Sequence, residues 1–301
     1  MIAAMDVHGN GSSIHGEGRR ARKVMDDGRE TLAIALGCLP QMMTFTSGGT
    51  EANNMALRGV GAEVILVSAV EHPSVLAAAK ASGKTVDLIP VDDKGRVRLE
   101  ALGKLLGRPN TLVSVMHANN ETGVVQPISD LAELAHKAGA LIHVDAVQTF
   151  GKMPVNFGML GVDMLTVAAH KVGGPVGIGA LVVRDGLVIE PLLQGGGQEL
   201  RRRGGTENIP AIAGFAALAL EPQLDTHDLT DVLEASLGDA IMFGDGVYRL
   251  CNTTYFAMPG MKAENLLMAL DLEGVAVSSG SACSSGQSRS LPCFGCNGCR
   301  G

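Results

Sequence analysis

The chain has 301 residues, 46% of them apolar, and a net charge of −7. That is enough to bury a large core, and the charge has the wrong sign for nucleic acid or an anionic membrane, both of which demand a basic face. No run of about 18 apolar residues occurs, and "MIAAMDVHGN" lacks the charged start and long apolar stretch of a signal peptide, so the sequence reads as cytoplasmic with a small-molecule substrate.

Helical spacing of apolar and small residues runs from Gly16 to Leu36, with Gly37 as the stop signal. The chain then alternates: strand 43–46, a helix from Thr50, strand 63–68, a helix after Pro73, and strand 85–91. Strand 111–116, helix 128–139 and strands 140–146, 163–169 and 177–183 continue the pattern, followed by helix 209–220. Such alternation predicts an α/β fold, and the Val/Ile/Leu-rich strands predict a mostly parallel sheet with helices on both faces. The texture changes near 221, where "EPQLDTHDLTD" leads to a helix, strand 252–258, helix 263–274 and strand 275–279. The expected organisation is a large domain over 1–220, a partial small α+β domain over 221–287, and an unstructured tail over 288–301.

Ligands of open α/β sheets sit beyond the carboxyl ends of the strands. "TSGGTEANN" (46–54) opens a helix whose N–H groups could face a phosphate, although a Gly-Gly turn alone is a weak signal. "VEHPSV" (70–75) and "HANNETG" (117–123) place a histidine and two asparagines at strand ends, each ordinary on its own. "HVDAVQ" (143–148) puts an aspartate at the end of an apolar strand, where an unpaired carboxylate is costly unless something cationic meets it. "AAHKVGGPVGIGAL" (168–181) places Lys171 after a strand, and a lysine entering a partly buried site loses basicity and suits imine chemistry. A lysine for the imine, an aspartate for a pyridinium nitrogen and a helix start for a phosphate are together what pyridoxal phosphate requires.

"TSGGTEANN", "VEHPSV", "ANNETGVVQPI", "HVDAVQ", "AHKVGGPVGIGAL", "RRRGGTEN" and "SSGSACSSG" occur here in the order found in the pyridoxal-phosphate cysteine desulfurases of the class V aminotransferase fold, which the sequence resembles from Gly9 to Gly286. The last motif resembles the branch with a long cysteine loop. The resemblance implies that Lys171 is the Schiff-base lysine, that Asp145 pairs with the pyridine nitrogen, that Gln148 and Asn120 approach the ring hydroxyl, and that His72 stacks on the ring and shares in catalysis. It implies phosphate binding by Gly49, Thr50 and His170, with Thr206 reaching the phosphate of the neighbouring subunit of a homodimer. Cys283 is then the nucleophile that takes sulfur from L-cysteine, leaving L-alanine and a persulfide that passes to an acceptor or scaffold protein.

The sequence also departs from that family. The "Asn-Ala-Thr" signature of its first strand does not appear, Ala168 stands where Ser is usual, and no arginine after Cys283 matches the one that binds the substrate carboxylate. The chain is therefore expected to be a truncated form, with a non-catalytic cofactor-binding homologue or another class V enzyme, such as a selenocysteine lyase, as alternatives. Cys293, Cys296 and Cys299 have metal-like spacing but no fourth ligand, and no metal site is assigned.

Overall fold

The computed structural model describes residues 1–221 and 225–280. Ten helices occur among them: α1 (Ile2–Met5), α2 (Gly16–Leu36), α3 (Gly49–Gly59), α4 (Pro73–Ala81), α5 (Leu99–Leu105), α6 (Ile128–Lys137), α7 (Phe157–Leu160), α8 (Ile209–Leu218), α9 (His227–Ser236) and α10 (Ala263–Leu272). The strands are β1 (Met43–Thr46), β2 (Val64–Ser68), β3 (Thr85–Ile89), β4 (Thr111–Met116), β5 (Leu141–Asp145), β6 (Met164–Ala168), β7 (Gly179–Val183), β8 (Ile241–Met242) and β9 (Phe256–Ala257). None of the helices is long and apolar enough to cross a membrane.

The first seven strands form one sheet in the order β1-β7-β6-β5-β4-β2-β3. Pairing is parallel throughout except around β7, which runs antiparallel to both β6 and β1. Alternate residues of β2, β4, β5, β6 and β7 enter opposite cores, as the two-residue period of a strand requires, whereas the edge strand β3 exposes Val86 and Leu88. On one face Val113, Val115, Ile142, Val144, Leu165 and Val167 pack with α2, α6 and α8. On the other, Ile65, Val67, Leu112, Met164, Leu181 and Val183 pack with α3 and α4. Helices on both faces exclude water, which is why these strands show so little polar alternation.

One stripe breaks the apolar rule on the α3/α4 face. Ser114 of β4, His143 of β5 and Thr166 of β6 form a buried chain, with Ser114 Oγ 2.9 Å from His143 Nδ1 and His143 Nε2 3.0 Å from Thr166 Oγ1. Both ring nitrogens are used, and burial pushes the imidazole down to about 3, so it is neutral at ordinary pH. A satisfied polar chain of this kind adds register specificity to strands that hydrophobic packing alone leaves interchangeable.

The expected strand 252–258 is only the two residues of β9, paired with β8, and 275–279 forms no strand. The backbone of Val275 instead closes α10 by donating to the Leu270 carbonyl. A strand needs a neighbour for its ladder, and among the described residues the second sheet has two short strands. Sequence periodicity also missed α5, whose seven residues include Gly103.

Near the edge strand β1 lies a buried ion pair. Glu199, at 1% side-chain exposure, accepts from Arg29 Nη2 at 2.6 Å and Nη1 at 3.0 Å and from the Phe45 N–H at 2.8 Å. Arg29 also donates to the Met43 carbonyl and stacks 4.7 Å above the Phe45 ring. The loop supplying Glu199 is strained: Glu199, Leu200 and Arg201 have φ of 47°, 56° and 66°, a left-handed region that costs ordinary residues roughly 1–2 kcal/mol each. Glu199→Ala should therefore lower unfolding free energy by about 3–5 kcal/mol, because it strands Arg29 and a backbone donor in the core. Urea unfolding measures this, and a loss under about 1 kcal/mol would show that the pair does not hold the loop.

Candidate active site

The site is built from the segments that follow five strands, β1, β2, β4, β5 and β6. After β1 the chain turns at Ser47 and Gly48, and Gly48 takes φ 150°. Glu51 then caps the helix start by accepting from the Ser47 N–H at 2.8 Å, and Arg203 holds Glu51 at 2.9 Å. A Cβ on Gly49 would lie 2.7 Å from Val147 Cγ2, so glycine is what lets the first turn of α3 settle on the segment leaving β5. The unpaired N–H groups of that turn make an anion-favouring end, with Thr50 exposed upon it.

Asp145, at the end of β5, is buried among neutral donors: the Val147 N–H at 3.0 Å to Oδ1 and Asn53 Nδ2 at 2.7 Å to Oδ2. Burial raises its pKa, against the pull of those two bonds and of the nearby His72. Asn53 also donates to Ser74 Oγ at 3.0 Å, and Ser74 Oγ lies 2.8 Å from His72 Nδ1. A polar chain therefore runs from Asp145 through Asn53 and Ser74 to His72. His72 caps α4 by accepting from the Ser74 N–H, with Pro73 preset for the first helical position. Burial lowers the His72 pKa, Asp145 opposes this and Lys171 reinforces it, so the ring is favoured neutral and able to lie flat against an aromatic ligand.

The two asparagines after β4 divide the work. Asn119 builds the loop, its Oδ1 accepting from the Glu121 and Thr122 N–H groups at 2.9 Å and its Nδ2 donating to the Val70 carbonyl at 3.0 Å. Asn120 is left to line a cavity of about 480 Å³ together with His72, Gln148 and Lys171. Its opposite wall is Asn252–Phe256, with Leu266, Leu267 and Leu270 of α10 and Val277 to Gly280.

The structure thus brings His72, Asn120, Gln148 and Lys171 together, with Asp145 linked to His72 through Asn53 and Ser74. Gly49 and Thr50 stand at the helix start above Val147, and His170 sits in the turn before Lys171, close enough to Lys171 and His72 for both to depress its pKa further below the effect of burial. One expectation changes. Lys171 is exposed at the cavity rather than partly buried, since it rides on a short 3-10 turn (His170–Val172) ahead of Gly173 in the left-handed region. Thr206 is exposed in the loop before α8 and does not line this cavity. Cys283 and the tail cysteines lie outside the described residues; Gly280, on the cavity wall, is the last one described.

Sequence reasoning missed Asn53, Ser74 and Glu71. Asn53 was visible as a polar residue one turn into a helix at a core-facing position, and its Oδ1 is buried without a partner among the described residues. Glu71 Oε1 accepts from the Met116 N–H at 2.5 Å, while its other oxygen is buried with only weak support from Ser68. Elsewhere, Asp225, His227 and Cys251 have donor atoms within 4.8 Å of one another, but the first two are exposed and paired as an ordinary surface contact at 2.7 Å.

A buried carboxylate held by neutral donors, a flat neutral ring, amide donors, a lysine and an anion-favouring helix end fit a planar, phosphorylated pyridine aldehyde. The family model for class V aminotransferases matches residues 3–296. The chain is 41% identical over 297 residues to the cysteine desulfurase IscS of Dictyoglomus turgidum, covering 92% of this chain and 75% of that protein. Its fold superposes with a TM-score of 0.88 on the X-ray structure of a NifS-like protein from Rickettsia africae, at 37% identity over 93% of this chain and 82% of that one. A structure of SspA in complex with cysteine gives 0.83 at 31% identity, covering 92% and 83%.

Burial raises the Glu71 carboxyl well above the usual carboxylate range, and the neighbouring Asp145 raises it further. Its unfolded value is about 4.3, so above that pH the folded chain holds a proton that the unfolded chain has lost. Stability from this group is whole below that value and falls as pH rises. Glu71→Gln removes the titration, so the variant should gain on the parent steadily from about pH 4.5 upward in urea unfolding. A difference that stays constant with pH would mean Glu71 is ionised in the fold.

Proposed function

The chain belongs to the class V aminotransferase family, among its cysteine desulfurases, and from that premise we propose that it binds pyridoxal phosphate and removes sulfur from L-cysteine, giving L-alanine and a persulfide on Cys283. The observation that carries this reading is the convergence of Lys171, His72, Asn120 and Gln148 on one cavity, with the buried Asp145 joined to His72 through Asn53 and Ser74.

When bound, pyridoxal phosphate supplies an aldehyde to join amines and a ring that stores the electrons released when a bond to the amino acid breaks. Lys171 Nζ is the amine that tethers it and, once displaced by substrate, carries the α-proton. Asp145 keeps the ring nitrogen protonated, and two neutral donors hold that carboxylate still. The start of α3 with Gly49 and Thr50, joined by His170, receives the phosphate. With Ala168 where a hydroxyl is usual, backbone donors bear more of that load. Thr206 is assigned to the phosphate of the second copy in a homodimer, in keeping with its exposed place outside its own cavity.

The thiolate of Cys283 attacks the substrate sulfur. A sulfur–sulfur bond forms as the substrate Cβ–Sγ bond breaks, and its electron pair stays with the three-carbon fragment, which takes up a proton and leaves as L-alanine. The persulfide then passes to an acceptor protein or thiol. One observation favours a second reading, a cofactor-binding homologue without turnover: among the described residues lining the cavity, none is an arginine to grip the substrate carboxylate.

Purified chain mixed with pyridoxal phosphate should show visible absorbance from the tethered cofactor, and L-cysteine with a reductant should yield alanine and sulfide together. Lys171→Ala should abolish the band and cut alanine formation by at least about 100-fold; an unchanged band would overturn the lysine's role. Cys283→Ala should keep the band and lose sulfide release, and full release would mean sulfur leaves by another route. Absorbance without alanine in the unmodified chain would favour the second reading.

A further inference from the structure

Gln148 and Lys152 leave β5 on one coil of turns, in which the Thr149 N–H donates to the Ala146 carbonyl and the Lys152 N–H to the Thr149 carbonyl. Their side chains meet four residues apart, Lys152 Nζ donating to Gln148 Oε1 at 3.0 Å. Between them Gly151 takes φ 75°, and a Cβ there would lie 3.0 Å from Val172 Cγ1. The coil is therefore seated against the residue that follows Lys171. Gln148 lines the cavity, while Lys152 is half-buried behind it.

An ammonium group has three donors and no acceptor, whereas a carboxamide has one end of each kind and nearly equal shape after a half turn. The atom facing Lys152 must be the amide oxygen, which leaves Nε2 as the group directed elsewhere. We propose that Lys152 is a positioning residue, whose ammonium fixes the Gln148 carboxamide so that Nε2 serves the cavity as a donor to the anionic ring oxygen of the bound cofactor. This rests on the cofactor reading above. Without the ammonium the amide can present its carbonyl oxygen to that anion and repel it. The charged or titratable groups that act on Lys152 are Lys171, which with burial lowers its pKa, and Cys251, which opposes them.

The test is the pH midpoint of the visible absorbance change in the full chain loaded with pyridoxal phosphate. Lys152→Met should move it up by about one unit, a tenfold change in proton affinity, and Lys152→Arg, which keeps a donor, should restore it. In a Gln148→Ala background Lys152→Met should add nothing. An equal shift in both backgrounds would mean Lys152 acts on Lys171 by charge alone and would overturn the proposal, as would a midpoint that Lys152→Met leaves in place. If the unmodified chain takes up no pyridoxal phosphate, the cofactor reading fails, and the orientation is decided separately by nitrogen-15 NMR. The side-chain amide signal of Gln148, identified by its loss in Gln148→Ala, should move in Lys152→Met and return in Lys152→Arg; a signal that stays still refutes the orientation.

Discussion

A carboxylate buried at the end of β5 is the constraint around which this site is arranged. Asp145 is 6% exposed and is met by a backbone N–H and an asparagine amide, both neutral. Neutral donors recover part of the lost hydration but leave a charge that still calls for a cation. That residual demand links the site to the sheet, because β5 lies at its centre and both neighbours are parallel, so the carboxyl ends of β4, β5 and β6 open on the same side.

The polar groups on the α3/α4 face continue this logic inward. Asn53 reaches down from α3 to Asp145 and sideways to Ser74, coupling the position of one helix to the cap of the next. Beneath them His143 joins three strands through Ser114 and Thr166. The apolar packing on either face would tolerate small slides of strand against strand, whereas these directional bonds would not. Catalytic geometry of sub-ångström quality needs such support behind the groups that touch the ligand.

Much of this was legible in the chain. Strands covered on both faces announce themselves as unbroken Val/Ile/Leu runs, so β2, β4, β5 and β6 could be placed closely. The strand-end rule then pointed to the segments carrying His72, Asn119 and Asn120, Asp145 and Lys171, while the choice of Asn120 and of Gln148 came from the family resemblance. What escaped was governed by contacts distant in sequence. Nothing near Asn53 in the chain announces Asp145, 92 residues later, and Glu71 gives no local sign of its bond to Met116. The two asparagines after β4 look equivalent until the loop closes on Asn119 and leaves Asn120 to the cavity. Strand 275–279 was misread because apolar, β-branched residues signal a strand only where a neighbouring strand stands ready to pair.

The loop before α8 has a bearing on assembly. Three consecutive residues in a left-handed backbone hold that shape only while Glu199 is gripped by Arg29 of α2 and by the Phe45 N–H of β1. Its form is thus conditional on a finished core: α2 must already lie against β1 before the loop can adopt its turn and present Leu200 and Thr206 outward. A chain whose α2 has not docked would offer a different surface there, so any partner reading this loop would in effect be selecting for completed molecules.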